Sequence, residues 1–211
     1  MREGRKFRVD ESVKQAEITL TDALRIRYKY LLDPVGAFLN RLGITPNTLT
    51  ISGLVGNSIG AYYLARGSFL VGGLILLSMG AIDALDGTMA RLRGEPSDFG
   101  AFVDSVTDRY SELVIYAGLL FYAVKELNLF LAMLIFAATA GSILVSYIRA
   151  RAQSLGYEAK VGVLTRFERF VVLVPSLVMG YPWIGVGLIA ILANITALQR
   201  IISVRRQTSK G

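Results

Sequence analysis

The stretch D-A-L-D-G-T-M-A-R at residues 83–91 and the stretch G-A-F-V-D-S-V-T-D at residues 100–108 place four aspartates in an otherwise apolar part of the chain. Residues three or four positions apart share one face of a helix. Asp83 and Asp86 therefore form one pair, and Asp104 and Asp108 form another. If the two helices are antiparallel neighbours, the four carboxylates converge. Oxygen ligands of this kind suit hard cations such as Mg²⁺, Mn²⁺ or Ca²⁺.

The composition points to a membrane protein. Of the 211 residues, 53% are hydrophobic and only 18% are charged, and the apolar residues cluster in runs long enough to span a bilayer. Carboxylates are costly in such surroundings and rarely stand there without a function. The chain has no His and no Cys. This excludes histidine general bases, zinc sites, thiol nucleophiles and disulfides.

The pattern predicts one all-α domain. We expect a polar cytoplasmic tail at residues 1–20, a juxtamembrane amphipathic helix at 21–45 with an elbow at Asp33-Pro34, a six-helix membrane domain at 46–205, and a second tail at 206–211. The six transmembrane helices are predicted at 46–65, 69–93, 99–125, 127–152, 166–179 and 183–204. The fifth is the shortest. No strand pattern is evident.

The basic residues predict the orientation of these helices. The net charge is +7, and all but three of the 23 Lys and Arg lie in the N-terminal segment, the loops after helices two and four, and the C-terminal region. Positive charge favours the cytoplasmic side, so both termini are expected there. The aspartates then lie near the cytoplasmic ends of helices two and three. A site in this position suits a soluble substrate and a lipid substrate.

Small residues and an arginine surround the aspartates. Gly87 leaves the backbone accessible, and Ala90 and Gly100 keep two helices close or leave a groove between them. Arg91 offers a bidentate fork to a phosphate. Two metal ions bridging a diphosphate would neutralise a leaving phosphate. One aspartate would then take a proton from an attacking hydroxyl, and we choose Asp108 for that role.

The pattern D-x2-D-G-x2-A-R-x8-G-x3-D-x3-D resembles the signature of the CDP-alcohol phosphotransferases, and all eight fixed positions are present. The resemblance covers about residues 20 to 205. It implies an enzyme that moves a phosphatidyl-type group from a CDP-linked lipid to an alcohol and releases CMP. It also implies six transmembrane helices preceded by an amphipathic helix, and a homodimer.

The resemblance further implies roles for individual residues. Asp83, Asp86 and Asp104 would be ligands of a divalent metal pair, either Mg²⁺ or Mn²⁺. Asp108 would be both a metal ligand and the catalytic base. The residues expected to bind CDP are Asp83, Gly87, Ala90, Arg91 and Gly100.

Four arginines indicate which alcohol accepts the group. Arg149 and Arg151 end the fourth predicted helix, and Arg166 and Arg169 open the fifth. Such residues often mark only a cytoplasmic loop, but beside an aspartate site they favour a phosphate pocket. The run Tyr-x-basic-Ala-Arg-Ala at residues 147–152 is similar to the branch of the family that uses inositol phosphate. The alternative phosphorylated acceptor is glycerol 3-phosphate.

An ion transporter is the alternative from a different class, because transporters also carry intramembrane aspartates. A conducting path predicts ionisable groups throughout the membrane depth, whereas here they cluster near one face. Metal-dependent release of CMP distinguishes the two classes. The expected partners are a CDP-linked lipid, a phosphorylated alcohol, membrane lipids and a second copy of the chain, with no nucleic acid.

Overall fold

The computed structural model describes residues 20–93 and 97–209, and this part of the chain is all-α. Its seven helices are α1 Leu20–Arg41, α2 Pro46–Ala65, α3 Phe69–Arg93, α4 Asp98–Lys125, α5 Leu129–Ser154, α6 Arg166–Val178 and α7 Pro182–Thr208. The predicted bounds of α2 and α3 are confirmed. The tail predicted at residues 1–20 lies outside the described residues, apart from Leu20.

Local capping explains where two of the helices begin. The hydroxyl of Ser97 accepts a hydrogen bond from the backbone N–H of Gly100 at 2.9 Å, so α4 begins at Asp98, one residue before its predicted start. The start predicted at residue 127 for the next helix is wrong. Leu127 has a φ of 51°, which is outside the helical region. Asn128 then caps α5 by accepting a hydrogen bond from the N–H of Leu131 at 2.9 Å.

Two further predictions concern the two ends of the described chain. Helix α1 runs through Pro34 as one element, and an interior proline kinks a helix because it removes a backbone hydrogen bond and crowds the preceding turn. The elbow predicted at Pro34 is compatible with this continuous helix and stays a prediction. The tail predicted at 206–211 is helical as far as Thr208. There, the side-chain amide of Gln207 donates to the carbonyl oxygen of Glu158 at 2.6 Å.

Three of the helices, α3, α5 and α7, are long and apolar enough to cross a membrane by length and composition. Helix α6 has 13 residues and is therefore about 20 Å long, compared with a hydrocarbon core of about 30 Å. The structure thus supports a membrane protein, while six transmembrane helices remain a prediction.

Helix α2 packs closely against α3 and α4. A side chain on Gly118 of α4 would collide with the carbonyl of Ala61 on α2. A Cβ on Gly60 of α2 would lie 3.0 Å from the side chain of Leu76 on α3. Helix α2 therefore lies directly against both aspartate-bearing helices. The fully buried side chains include Leu64, Leu76, Leu119, Ile135, Leu177, Val186 and Ile189.

Candidate metal and phosphate site

Three of the four aspartates converge. Asp83 of α3 and Asp104 and Asp108 of α4 each offer a carboxylate oxygen, and these atoms lie within 4.8 Å of one another. Asp83 is exposed, whereas Asp108 is only 8% exposed. A set of three carboxylate oxygens matches the ligands that Mg²⁺ and Mn²⁺ prefer. These residues therefore fit a divalent metal.

Asp86 lies outside this set of three and faces α2. It is 6% exposed, and its Oδ2 atom accepts a hydrogen bond from the hydroxyl of Thr50 at 2.8 Å. A small cavity is lined by Asp83, Asp86 and Asp108 together with Thr50. Asp86 thus adjoins the other carboxylates, and α2 supplies the group that orients it. The sequence alone did not identify Thr50, because this contact joins residues 36 positions apart.

A single guanidinium joins α6 to the aspartates. Nη1 of Arg166 lies 2.6 Å from Oδ2 of Asp108 and 3.4 Å from Oδ2 of Asp83. Nη1 of Arg109 lies farther from Asp108, at 3.7 Å. The negative charge of the cluster therefore attracts the N-terminal residue of α6, and the positive charge of Arg166 offsets part of the repulsion between the carboxylates.

A cavity of about 350 Å³ adjoins the cluster. Its charged lining residues are Asp83, Asp108, Glu112, Arg149, Arg166 and Arg169. Three of the four arginines predicted to bind the acceptor phosphate thus share one cavity with two of the aspartates. The fourth, Arg151, is not part of this lining, and its Nη1 lies 3.4 Å from the hydroxyl of Ser154.

Glu112 has a partner that sequence analysis missed. Glu112 lies one turn beyond Asp108 and lines the cavity. It accepts two hydrogen bonds from Arg169, with Nε to Oε1 at 2.7 Å and Nη2 to Oε2 at 3.2 Å. Arg109 donates to the backbone carbonyl of Ser105. The only sequence signal for Glu112 was its spacing of four residues from Asp108.

Three further signature residues lie at the end of α3 and the start of α4, and their surroundings differ. A Cβ on Gly87 would meet only Nη1 of Arg91, at 3.7 Å. Arg91 is exposed and donates from Nη2 to the hydroxyl of Thr88 at 2.9 Å. A Cβ on Gly100 would lie 2.9 Å from the Ser97 hydroxyl oxygen. Gly87 therefore leaves space for close approach of a ligand, and Arg91 offers a charged fork beside it.

Helix α7 holds the loop that leads into α6. Arg200 is 2% exposed and donates from Nη1 to the carbonyl of Val145 at 2.6 Å and from Nε to the carbonyl of Val161 at 3.0 Å. The hydroxyl of Thr196 accepts from the N–H of Leu164 at 3.1 Å. These bonds connect α7 to the backbone of α5 and to that of the loop before α6. The start of α6 itself carries a capping box formed by Thr165 and Glu168.

The chain matches the model of the CDP-alcohol phosphatidyltransferase family over residues 43–202, and it belongs to that family. It is 34% identical over 189 residues to the archaetidylinositol phosphate synthase of Pyrococcus horikoshii, an alignment that covers 89% of this chain and 98% of that protein. It is also 34% identical over 204 residues to the phosphatidylinositol phosphate synthase of Streptomyces avermitilis, which covers 89% and 83% of the two chains.

Solved structures show the same fold. The phosphatidylinositol phosphate synthase of Mycobacterium tuberculosis with CDP-DAG bound matches with a TM-score of 0.78 and 29% identity, over 83% of this chain and 94% of that chain. The same enzyme in complex with manganese and citrate matches with a TM-score of 0.75 and 28% identity, over 82% and 88% of the chains. The present chain is therefore a CDP-alcohol phosphotransferase by fold and by family.

Proposed function

We propose that this enzyme transfers a phosphatidyl-type group from a CDP-linked lipid to inositol phosphate and releases CMP. The observation that carries this proposal is the cavity that joins two aspartates, Asp83 and Asp108, to three arginines. Carboxylates suit a metal and arginines suit a phosphate, so one cavity meets the needs of both a CDP-lipid and a phosphorylated alcohol. The relatives named as inositol phosphate lipid synthases support the choice of acceptor.

We assign the metal ligands to Asp83, Asp86, Asp104 and Asp108, and propose two ions of Mg²⁺ or Mn²⁺. Once bound, the ions would neutralise the diphosphate and stabilise the departing CMP. The manganese complex of the mycobacterial enzyme supports this assignment. Asp86 is included because it lines the small cavity that Asp83 and Asp108 also line. The hydrogen bond from Thr50 orients its carboxylate.

The CDP group is assigned to the open surface at the end of α3. Gly87, Ala90 and Gly100 leave room for the nucleotide, and Arg91 supplies charge for a phosphate. Asp83 completes the set. The mycobacterial structure that contains CDP-DAG supports this placement through its shared fold.

The proposed chemical step is a direct displacement. The acceptor hydroxyl attacks the phosphorus on the lipid side, so that a new O–P bond forms and the bond to the CMP oxygen breaks. Asp108 takes the hydroxyl proton. Its position supports this role, because Asp108 is largely buried yet lines the cavity that the arginines share.

The acceptor phosphate is assigned to Arg149, Arg166 and Arg169 in the cavity, with Arg151 at the end of α5 as the fourth residue. Serine and choline carry no phosphate that would use these charges. Glycerol 3-phosphate does carry one and is the acceptor to test against inositol phosphate.

We further propose that the protein crosses the cell membrane six times, with α1 as an amphipathic helix at the surface. Both termini and the active site face the cytoplasm, and two copies form a homodimer. The distribution of basic residues supports this orientation, and the length and apolar composition of α3, α5 and α7 support the membrane location.

The decisive experiment supplies the purified protein with CDP-diacylglycerol or CDP-archaeol, Mg²⁺ or Mn²⁺, and a panel of acceptors. The panel contains inositol phosphate, glycerol 3-phosphate, free inositol and serine. We expect CMP release and a phosphorylated lipid product with inositol phosphate, and loss of both when EDTA removes the metal. If CMP is released only when glycerol 3-phosphate is supplied, the acceptor is glycerol 3-phosphate and not inositol phosphate. Ion flux in liposomes, with no release of CMP from the CDP-lipid in the presence of any acceptor, would overturn the proposal that the protein catalyses this transfer.

A further inference from the structure

Two ion pairs connect α4 to α6 beside the cavity. Asp108 pairs with Arg166 at the start of α6, and Glu112 pairs with Arg169 one turn further along. Asp108 and Glu112 are four residues apart and share one face of α4, and Arg166 and Arg169 are three apart and share one face of α6. The two ion pairs therefore lie one helical turn apart between the same two helices.

The two ion pairs differ in how far their arginines are exposed to solvent. The side chain of Arg166 is 40% exposed, whereas that of Arg169 is 3% exposed. Arg169 also uses two of its nitrogens on Glu112, which gives the planar, bidentate geometry of a strong ion pair. A buried guanidinium of this kind rarely exchanges partners, since separating the pair would leave an uncompensated buried charge.

The third nitrogen of Arg169 points to a ligand. Nη1 is buried and has no hydrogen-bond partner among the described residues. Buried donors without partners are rare in folded proteins, and those that occur call for an explanation. Arg169 lines the same cavity as Arg149 and Arg166. An anion entering that cavity would supply the missing acceptor after a small local adjustment.

We propose that Glu112 is a positioning residue for the acceptor phosphate. Its carboxylate engages Nε and Nη2 of Arg169, which leaves Nη1 as the donor for the phosphate and fixes where that donor lies relative to Asp108 on the same face of α4. The inference rests on the proposed function, because it requires a phosphorylated acceptor. In this proposal Glu112 acts through Arg169 and not on a reacting atom.

The test is a comparison of kinetic constants in Glu112→Gln, which keeps the shape of the side chain but removes its charge. We expect the KM for inositol phosphate to rise about tenfold or more, because Arg169 loses its ionic partner and its fixed orientation. The KM for the CDP-lipid and the affinity for Mn²⁺ should change by about twofold or less, because neither ligand depends on this pair.

Glu112→Asp provides a second variant in case the amide does not fold. It keeps the charge on a shorter arm, so we expect a smaller rise in the acceptor KM, between those of the native protein and Glu112→Gln. The matched control is Glu158→Gln, which removes a carboxylate from an exposed pair with Lys160 at 3.2 Å and should leave all three constants unchanged.

The outcomes separate this inference from the proposed function. If the native protein uses no phosphorylated acceptor, the proposed function fails and the inference fails with it. If the native protein uses inositol phosphate but both Glu112 variants behave like Glu158→Gln, only the inference fails. An equal rise in the KM of donor and acceptor would also overturn it, since that result indicates a general structural defect.

Discussion

Nη1 of Arg166 lies 2.6 Å from Oδ2 of Asp108 and 3.4 Å from Oδ2 of Asp83, so one guanidinium contacts two proposed metal ligands on two helices. A divalent cation would use the same oxygen atoms, and two cations at one set of oxygens repel each other. A phosphate in the cavity would attract Arg166 towards itself. Arg166 is therefore expected to oppose metal binding and to favour acceptor binding.

This relationship predicts effects of opposite sign in Arg166→Gln. Without the competing guanidinium, the protein should bind Mn²⁺ about threefold to tenfold more tightly in the absence of acceptor, as partly exposed charge pairs contribute modest energies. The KM for inositol phosphate should rise. Electron paramagnetic resonance titration measures the first effect, and steady-state CMP release measures the second.

The control for Arg166→Gln is Arg206→Gln, which removes an arginine from an exposed position near the end of α7. It should alter neither constant. Weaker Mn²⁺ binding in Arg166→Gln would contradict the competition between this arginine and the metal.

Asp108→Asn should abolish most of the catalysis. The amide cannot take a proton from the acceptor hydroxyl, and general-base catalysis contributes a factor of about 10² to 10⁴ in rate. We expect kcat to fall at least that far in the CMP-release assay. The control is Asp98→Asn in the first turn of α4, where the carboxylate is exposed. Full activity in Asp108→Asn would show that Asp108 is not the general base.

The spacing of the aspartates predicted part of the site because helix periodicity is a local property. It placed Asp108 on the same face as Asp104, and Asp83 converges with both. The orientation of Asp86 depends on α2 and was not predictable, since the Thr50 contact spans 36 positions. The partner of Glu112 lies 57 positions away. Such pairings follow from helix packing, which a single sequence does not encode as a pattern.

The hydrogen bond from Thr50 to Asp86 predicts a loss of stability and of metal affinity in Thr50→Val. The substitution keeps the shape of the side chain and removes the side-chain donor of a buried carboxylate, at a cost of about 1–3 kcal/mol. Thermal unfolding in detergent measures the first effect, and Mn²⁺ titration measures the second, because a misoriented Asp86 is a poorer ligand.

Thr139→Val is the matched control for Thr50→Val. The Thr139 hydroxyl donates to the carbonyl of Ile135 within its own helix, at 2.7 Å, so its loss leaves no charged group unpaired. If both valine variants lose stability equally and Mn²⁺ affinity is unchanged, Thr50 has no special role in orienting Asp86.

The connection between α1 and α3 gives a last prediction. Arg93 donates from Nε to Oδ1 of Asn40 and from Nη2 to the carbonyl of Ile44, both at 2.7 Å, and so joins the end of α3 to the turn after α1. Arg93→Gln should increase hydrogen exchange at the amides of Leu42 and Ile44, as each lost bond costs about 0.5–1.5 kcal/mol. Arg41→Gln, an exposed change at the end of α1, should leave exchange unchanged. Equal exchange in both variants would show that Arg93 does not stabilise this turn.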